Sequence, residues 1–168
     1  MSNRVRFVCF LVFAFLALVV LAGCGDSGSV SYDQTPSATL DRLVRGMQTE
    51  SVGLVLSCYT NPYRLTGLGR SYLLTHEEAA ALYQQVFARY NYSTWTIYYR
   101  YITVAGPSAA ATCDVMVYNG RTWEYARFLY SLTRYGSMWL INHETLIGAS
   151  ASSSCAAQGL VENLLEQP

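Results

Sequence analysis

The stretch that decides the fold runs from Thr94 to Glu144 and reads TWTIYYRYITVAGPSAAATCDVMVYNGRTWEYARFLYSLTRYGSMWLINHE. Apolar and polar residues alternate along it, which is the period of β-strands. Turn residues interrupt the alternation at Gly106-Pro107-Ser108, Asn119-Gly120 and Tyr135-Gly136, and Asn-Gly is a strong hairpin signal. The pattern therefore predicts four antiparallel strands, over residues 94–105, 109–118, 122–134 and 137–144.

Upstream of this stretch the apolar residues recur at helical spacing, which predicts three helices. The first is expected to be capped by Ser37 or Thr39, and the second to cover residues 51–59 and stop at Asn61-Pro62. A linker with Gly67 and Gly69 is expected next. The third helix opens at a capping box formed by Thr75 and Glu78 and reaches about residue 89.

The first 24 residues have the layout of a signal peptide: a basic start, an apolar run and a small-residue cleavage site. Leu21-Ala22-Gly23-Cys24 resembles the lipobox of bacterial lipoproteins, which implies cleavage before Cys24 and acyl chains, palmitate among them, on that cysteine. A single transmembrane helix is the alternative, but the apolar run is shorter than the roughly 20 residues that span a bilayer. We expect a protein anchored by lipid to a membrane of the bacterial cell envelope, with its domain outside the cytoplasm.

These signals divide the chain into a signal peptide (1–23), a lipidated cysteine with a flexible tether (24–37), one folded domain (38–147) and a tail (148–168) in which a short helix is expected. The chain has 11 basic and 11 acidic residues without a basic cluster, so nucleic acid is not expected as a partner. Its two histidines lie far apart and no Cys-x-x-Cys occurs, so neither a metal site nor a cofactor is expected.

Three of the five cysteines remain once Cys9 leaves with the signal peptide and Cys24 is lipidated. The compartment permits disulfides, and an odd number leaves one thiol free. Cys113 is expected to face the core in mid-strand, which leaves Cys58 and Cys155 as the expected disulfide. Three free, buried thiols are the alternative.

Three helices followed by a meander of long strands resemble the nuclear transport factor 2-like superfamily, which shares the cystatin-like α+β fold. The ending Gly136-Ser137-Met138-Trp139-Leu140-Ile141 is similar to the final hairpin and Trp-x-Ile strand of that family. The resemblance covers about residues 36–145. It implies an α+β cone in which three N-terminal helices pack on a curved four-stranded antiparallel sheet. The superfamily contains isomerases, dehydratases, transport factors and accessory lipoproteins, so the fold alone assigns no activity.

Hairpin registers predict which residues share a face of the sheet. A two-residue loop at Asn119-Gly120 would pair Tyr118 with Arg121, and one at Tyr135-Gly136 would pair Leu132 with Trp139. The face expected to lie under the helices is nearly all apolar, and its expected pocket-lining residues are His143, Tyr99, Tyr101, Tyr130, Phe128, Trp139 and Trp95.

Two ionisable residues, His143 and Glu124, are predicted on this inner face, and Glu124 is expected to reach water near a hairpin end. A catalytic histidine needs a partner that orients it. No carboxylate is predicted beside His143, so it is expected to line the pocket or to be structural, and no catalytic residue is assigned.

The opposite face is expected to hold an interface, because tyrosine, tryptophan, methionine and arginine are enriched where proteins meet. Its predicted residues are Trp123, Tyr125, Tyr118, Met116, Arg100, Asp114 and Arg127, with Arg100 opposite Asp114. The resemblance implies that this face forms a homodimer or receives another protein. For the charged residues, a surface ion-pair network worth at most about 1 kcal/mol per pair is the alternative.

The sequence thus favours a non-catalytic envelope lipoprotein whose domain binds a small apolar or amphiphilic ligand or a protein partner. Two alternatives remain open. One is an enzyme of the isomerase or dehydratase type that uses His143 in an aromatic pocket. The other is a structural accessory subunit of an envelope assembly.

Overall fold

The structure is a computed structural model that describes residues 34–67, 69–118 and 122–149. Its helices are α1 (Pro36–Gln48), α2 (Val52–Leu56) and α3 (His76–Arg89). Its strands are β1 (Tyr59–Gly67), β2 (Arg70–Leu74), β3 (Thr96–Ala105), β4 (Ser108–Tyr118), β5 (Trp123–Tyr135) and β6 (Met138–Ala149). The predicted signal peptide, Cys24, Cys155 and the predicted tail helix lie outside the described residues. Within the described ranges, no helix is long and apolar enough to cross a membrane.

The six strands form one sheet in the order β2-β1-β6-β5-β4-β3, with β1 parallel to β6 and the other neighbours antiparallel. The predicted meander is β3 to β6. The prediction of four strands is wrong, because β1 and β2 pair as a hairpin where the sequence predicts a helix end and a linker. Asn61-Pro62 lies inside β1, between Tyr59 and Arg64, where the pairing with β6 is irregular. Proline is tolerated there because its missing N–H breaks no ladder hydrogen bond.

The helix ends follow local capping rules, although one predicted cap is wrong. The cap of α1 is Thr35, whose side chain accepts a hydrogen bond from the Ala38 N–H, and Pro36 takes the first helical position that suits proline. Thr39 is buried instead and donates to the Trp139 carbonyl at 2.7 Å. The predicted capping box of Thr75 and Glu78 is present at the start of α3.

The core lies between the three helices and one face of the sheet, which we call the inner face. Leu40, Leu43, Val55, Val86, Leu132 and Ile141 are among its fully buried side chains. The close approach of α1 to α2 requires Gly46, since a Cβ there would lie 2.9 Å from the Val55 backbone nitrogen.

The pairing of β4 with β5 differs from the predicted register by two residues. Tyr118 lies opposite Trp123 and Asp114 opposite Arg127. Because side chains alternate with a period of two, this shift leaves each residue on its predicted face.

A β-bulge in β6 reverses the facing of its second half. Leu132 lies opposite Ile141, but Ser131 lies opposite His143, so Asn142 is the extra residue. Trp139 and Ile141 face inward before the bulge, whereas Glu144 faces inward after it. The predicted inward position of His143 is therefore wrong, because a single inserted residue exchanges the two faces of a strand.

A second β-bulge, in β3, also exchanges the inner and outer faces of its strand. Ile97 lies opposite Val115 and Tyr99 opposite Asp114, so Tyr98 is the extra residue. Tyr99 and Tyr101 consequently lie on the outer face, 51% and 59% exposed, and do not line a pocket as predicted. Arg100 turns inward and lies opposite Cys113 instead of Asp114.

Candidate functional site

A buried carboxyl lies where the bulge in β6 turns the strand inward. Glu144 is only 5% exposed. It lies opposite Tyr130 of β5 on one side and opposite Leu65 of β1 on the other. The Tyr59 hydroxyl, from the first residue of β1, donates a hydrogen bond of 2.6 Å to the Glu144 Oε2 atom. The site is thus built from three strands, and Glu144 is the acidic residue at its centre.

Four buried tyrosines surround this carboxyl, and we call them with Glu144 the tyrosine cluster: Tyr59, Tyr63, Tyr83 and Tyr130. Tyr59 and Tyr63 come from β1, Tyr83 from α3 and Tyr130 from β5. The rings of Tyr59 and Tyr63 are in contact, with centroids 4.4 Å apart. The cluster therefore joins a helix to the sheet through hydroxyl-bearing side chains.

Burial raises the pKa of Glu144 from its usual 4.5 to about 7, against the smaller, lowering effect of the hydrogen bond from Tyr59. Among the described residues no basic side chain pairs with it. A carboxyl whose pKa lies near 7 can donate a proton or accept one at physiological pH.

The tyrosines stay protonated. Burial raises the pKa of Tyr59 and of Tyr130 well above the usual value for tyrosine, and the nearby charge of Glu144 raises both further. Burial also raises the pKa of Tyr63 and Tyr83, so all four hydroxyls keep the proton that a hydrogen-bond donor needs.

The hydroxyl of Tyr63 stands out among them. Its side chain is 1% exposed, and its oxygen makes no hydrogen bond of good geometry within the described residues. The neighbouring Tyr83 hydroxyl lies close enough to lower its pKa but does not satisfy it. A buried polar group without a partner costs about 1–3 kcal/mol, so an additional hydrogen bond to this hydroxyl would be stabilising.

Four of the predicted pocket residues are buried in the core: Trp95, Phe128, Tyr130 and Trp139. Of these, Tyr130 belongs to the tyrosine cluster, and Phe128 stacks on it with centroids 5.8 Å apart. Trp139 donates through Nε1 to the Gln34 carbonyl, and the Trp95 carbonyl accepts from Gln48, so both tryptophans hold α1 in place.

His143 lies on the outer face among hydroxyls. Its Nε2 atom is 2.9 Å from Thr66 Oγ1 and 3.2 Å from Thr145 Oγ1. Desolvation, and then the charge of Arg64, lowers the pKa of His143, so a neutral imidazole is favoured. Glu124, expected to reach water, is buried on the inner face.

The remaining titratable side chains of the described residues offer no metal site. Cys58 and Cys113 are free, buried thiols, and burial raises their pKa values to about 11 and about 12. Cys155, the predicted disulfide partner of Cys58, is not among the described residues. Within the described ranges no group of three or more His, Cys, Asp or Glu side chains could hold a metal ion.

The outer face carries exposed aromatic side chains, which we call the outer aromatic patch: Tyr98, Tyr99, Tyr101, Tyr118, Trp123 and Tyr125. It includes three of the predicted interface residues, and half-buried Met116 lies opposite Tyr125. Asp114 and Arg127, two of the three charged residues expected on this face, form an ion pair, with Nη2 2.8 Å from Oδ2. Arg100 does not belong to the patch, because it points to α1 and pairs with Asp41 at 2.7 Å.

Comparison with solved structures identifies the fold. A nuclear transport factor 2-like protein of unknown function from Pseudomonas putida matches with a TM-score of 0.58 at 12% identity, over 70% of this chain and 87% of that one. A candidate ketosteroid isomerase from Shewanella frigidimarina matches with a TM-score of 0.58 at 15% identity, over 70% and 97%. A candidate aromatic ring hydroxylase from Novosphingobium aromaticivorans gives 0.57 at 17% identity, over 70% and 92%.

The protein thus has the α+β, nuclear transport factor 2-like fold, with three helices and a six-stranded sheet in its described part. No protein-family model matches the chain, and no curated protein matches its sequence. At these identities the likeness shows the fold alone, and any activity has to be argued from the tyrosine cluster.

Proposed function

We propose that the domain binds a small, largely apolar molecule by one oxygen atom, which is held at the tyrosine cluster. The observation that carries this proposal is the unpartnered, buried Tyr63 hydroxyl beside the Glu144 carboxyl. Around them the inner face is apolar and aromatic, which suits the rest of such a ligand. The ligand class is therefore an aromatic or alicyclic ring bearing a hydroxyl or a carbonyl.

A direct test compares 2-naphthol with naphthalene, which has the same rings but no oxygen. We expect the wild-type chain to bind 2-naphthol about tenfold more tightly, which corresponds to one buried hydrogen bond. Tyr63→Phe should remove that preference and leave the binding of naphthalene unchanged. Tyr125→Phe, which removes an exposed hydroxyl of the outer aromatic patch, is the matched control. If naphthalene binds as well as 2-naphthol, or neither binds, the tyrosine cluster is only a polar part of the core.

A second candidate function is proton transfer at a carbon next to a carbonyl group. The pKa of Glu144, about 7, favours it, because a general base works best with a pKa near the ambient pH. The tyrosine hydroxyls would donate hydrogen bonds to the enolate oxygen that forms. In this proposal Glu144, and not His143, is the catalytic residue of the isomerase or dehydratase alternative.

Deuterium exchange measures this activity without knowledge of the natural substrate. In D2O, the protein should speed the loss of the NMR signals of the protons next to the carbonyl of 2-tetralone. Glu144→Gln should abolish the acceleration, while His143→Gln should leave it intact. Equal exchange with wild type and Glu144→Gln would leave ligand binding as the function.

For the cellular setting, we propose a lipid-anchored protein of the bacterial cell envelope, supported by the lipobox at Cys24. The mature chain should be found in the membrane fraction with the mass of a diacylglyceryl group and one N-acyl chain added, and Cys24→Ala should abolish both. A structural accessory role in an envelope assembly remains the alternative if the tyrosine cluster binds nothing.

The outer aromatic patch supports a second copy of the chain as partner. At roughly 200 Å2 for each aromatic side chain, the six expose about 600 Å2, and a stable interface buries about 800 Å2 on each partner. The charges of Asp114 and Arg127 cancel within this face, so two copies can meet without repulsion. Sedimentation should show a dimer, and Trp123→Ser with Tyr125→Ser should give a monomer of unchanged fold. A wild-type monomer at high concentration would exclude this role.

A further inference from the structure

The position at which the domain meets the preceding chain is fixed. Trp139, near the start of β6, donates through Nε1 to the Gln34 carbonyl at 3.1 Å. Arg100 holds the first two turns of α1, through Ser37 Oγ at 3.0 Å and Asp41 at 2.7 Å. The chain that precedes residue 34 therefore joins the domain beside the turn that opens β6.

Two hairpin turns lie together at this end of the sheet. One joins β3 to β4 at Gly106-Pro107, and the other joins β5 to β6 at Gly136-Ser137. The Arg134 N–H donates to the Pro107 carbonyl at 2.8 Å and keeps the turns adjacent. We call residues 104–108 and 134–138 the hairpin edge.

The hairpin edge has a composition unlike that of an ordinary loop region. Val104 and Tyr135 are 57% and 53% exposed. Residues 101–110 and 131–140 contain no Asp or Glu. Arg134 is exposed, and its guanidinium donates to the Gly136 carbonyl, while no acidic side chain of the described residues pairs with it. Apolar, aromatic and basic groups thus share one edge without a negative charge.

We infer that the hairpin edge rests on the bilayer surface, with Tyr135 and Val104 among the headgroups and Arg134 near the lipid phosphates. Tyrosine is enriched at membrane interfaces, and arginine extends its charge towards the headgroups. The inference rests on the proposed lipid anchor, because Gln34 lies ten positions after Cys24. Such a tether spans at most about 35 Å. An anchored domain meets the surface at a high effective concentration, so a weak contact is enough to orient it.

Quenching of tryptophan fluorescence by brominated lipids tests this orientation in the full, lipidated chain. The protein is reconstituted into phosphatidylethanolamine–phosphatidylglycerol vesicles with and without bromine on the acyl chains. Tyr135→Trp places a reporter at the hairpin edge. Tyr125→Trp is the matched control, since it lies on the same strand and face, ten residues away, or about 33 Å. Subtraction of the wild-type signal isolates each introduced indole.

We expect the indole of Tyr135→Trp to be quenched at least about twofold more than that of Tyr125→Trp. Adding Val104→Ser and Arg134→Gln to Tyr135→Trp should remove the excess. Equal quenching of the two reporters, or none in either, in protein whose mass confirms three acyl chains would overturn the inference. A mass without lipid would overturn it as well, together with the proposed anchor, whereas the preference for 2-naphthol would be unaffected in both cases.

Discussion

Two identical substitutions in the tyrosine cluster should have opposite effects on stability. Tyr59→Phe removes the hydroxyl that donates to Glu144 and leaves a buried carboxyl without its partner. Loss of such a partner costs about 1–3 kcal/mol. Tyr63→Phe removes a buried hydroxyl that makes no hydrogen bond of good geometry, so it removes a desolvation cost and leaves the ring packing intact. The gain should be about 1 kcal/mol, since the folded state no longer buries an unsatisfied group.

The measurement is the free energy of unfolding of the mature chain from urea titrations at pH 6, where Glu144 holds its proton because its pKa is about 7. Tyr59→Phe should lower the urea midpoint and Tyr63→Phe should raise it, both with an unchanged slope. Tyr135→Phe, which removes an exposed hydroxyl outside the tyrosine cluster and the outer aromatic patch, is the control and should change nothing. Equal destabilisation by Tyr59→Phe and Tyr63→Phe would refute the reasoning, because Tyr63 would then be bonded inside the protein and would have no need of a ligand. A stabilising Tyr63→Phe that also loses the preference for 2-naphthol would mark a residue kept for binding at the expense of stability.

Three further predictions follow from packing, capping and charge. The stability of the wild type should fall as the pH rises from about 4.5 to about 7, because Glu144 keeps its proton in the fold up to its raised pKa and loses it near 4.5 when unfolded. Urea titrations should show a fall of about 3 kcal/mol that Glu144→Gln lacks. Gly46→Ala should destabilise the domain by about 1–3 kcal/mol in thermal unfolding, since the added Cβ would lie 2.9 Å from Val55. An unchanged melting temperature would show that α1 and α2 can separate freely. Thr75→Ala should cost about 1 kcal/mol by removing the capping box with Glu78, whereas Thr75→Ser should cost far less.

Local signals were enough to predict the meander and the start of α3. The capping box and the turn residues act over a few positions, and each strand from β3 to β6 is long enough for its alternation to be recognised. The β1–β2 hairpin was missed because Asn61-Pro62 is a strong stop signal for a helix. In the structure β1 pairs locally with β2 and also with β6, about 80 residues later, and no local pattern encodes that parallel pairing.

The candidate site was misplaced for a different reason, namely one inserted residue. In β6 the apolar residues Trp139 and Ile141 occupy odd positions, but Leu146, which packs against the core, occupies an even one. Such a change from odd to even positions marks a bulge, and it places Glu144 on the inner face with Leu146. The predicted strand ends at residue 144, so this signal lies outside it, and the uninterrupted alternation predicts His143 on the inner face.

The same change occurs in β3, where Trp95 and Ile97 precede the bulge at Tyr98 and Ile102 follows it at an even position. In both strands the alternation was extended across a position where the fold interrupts it. The chemical consequence was large in each case. In β6 the residue at the tyrosine cluster is a carboxyl with a pKa of about 7 instead of the predicted imidazole, and in β3 two tyrosines predicted to line a pocket lie in the outer aromatic patch. A strand whose apolar residues change from odd to even positions should therefore be divided at the change before any residue on it is assigned to a site.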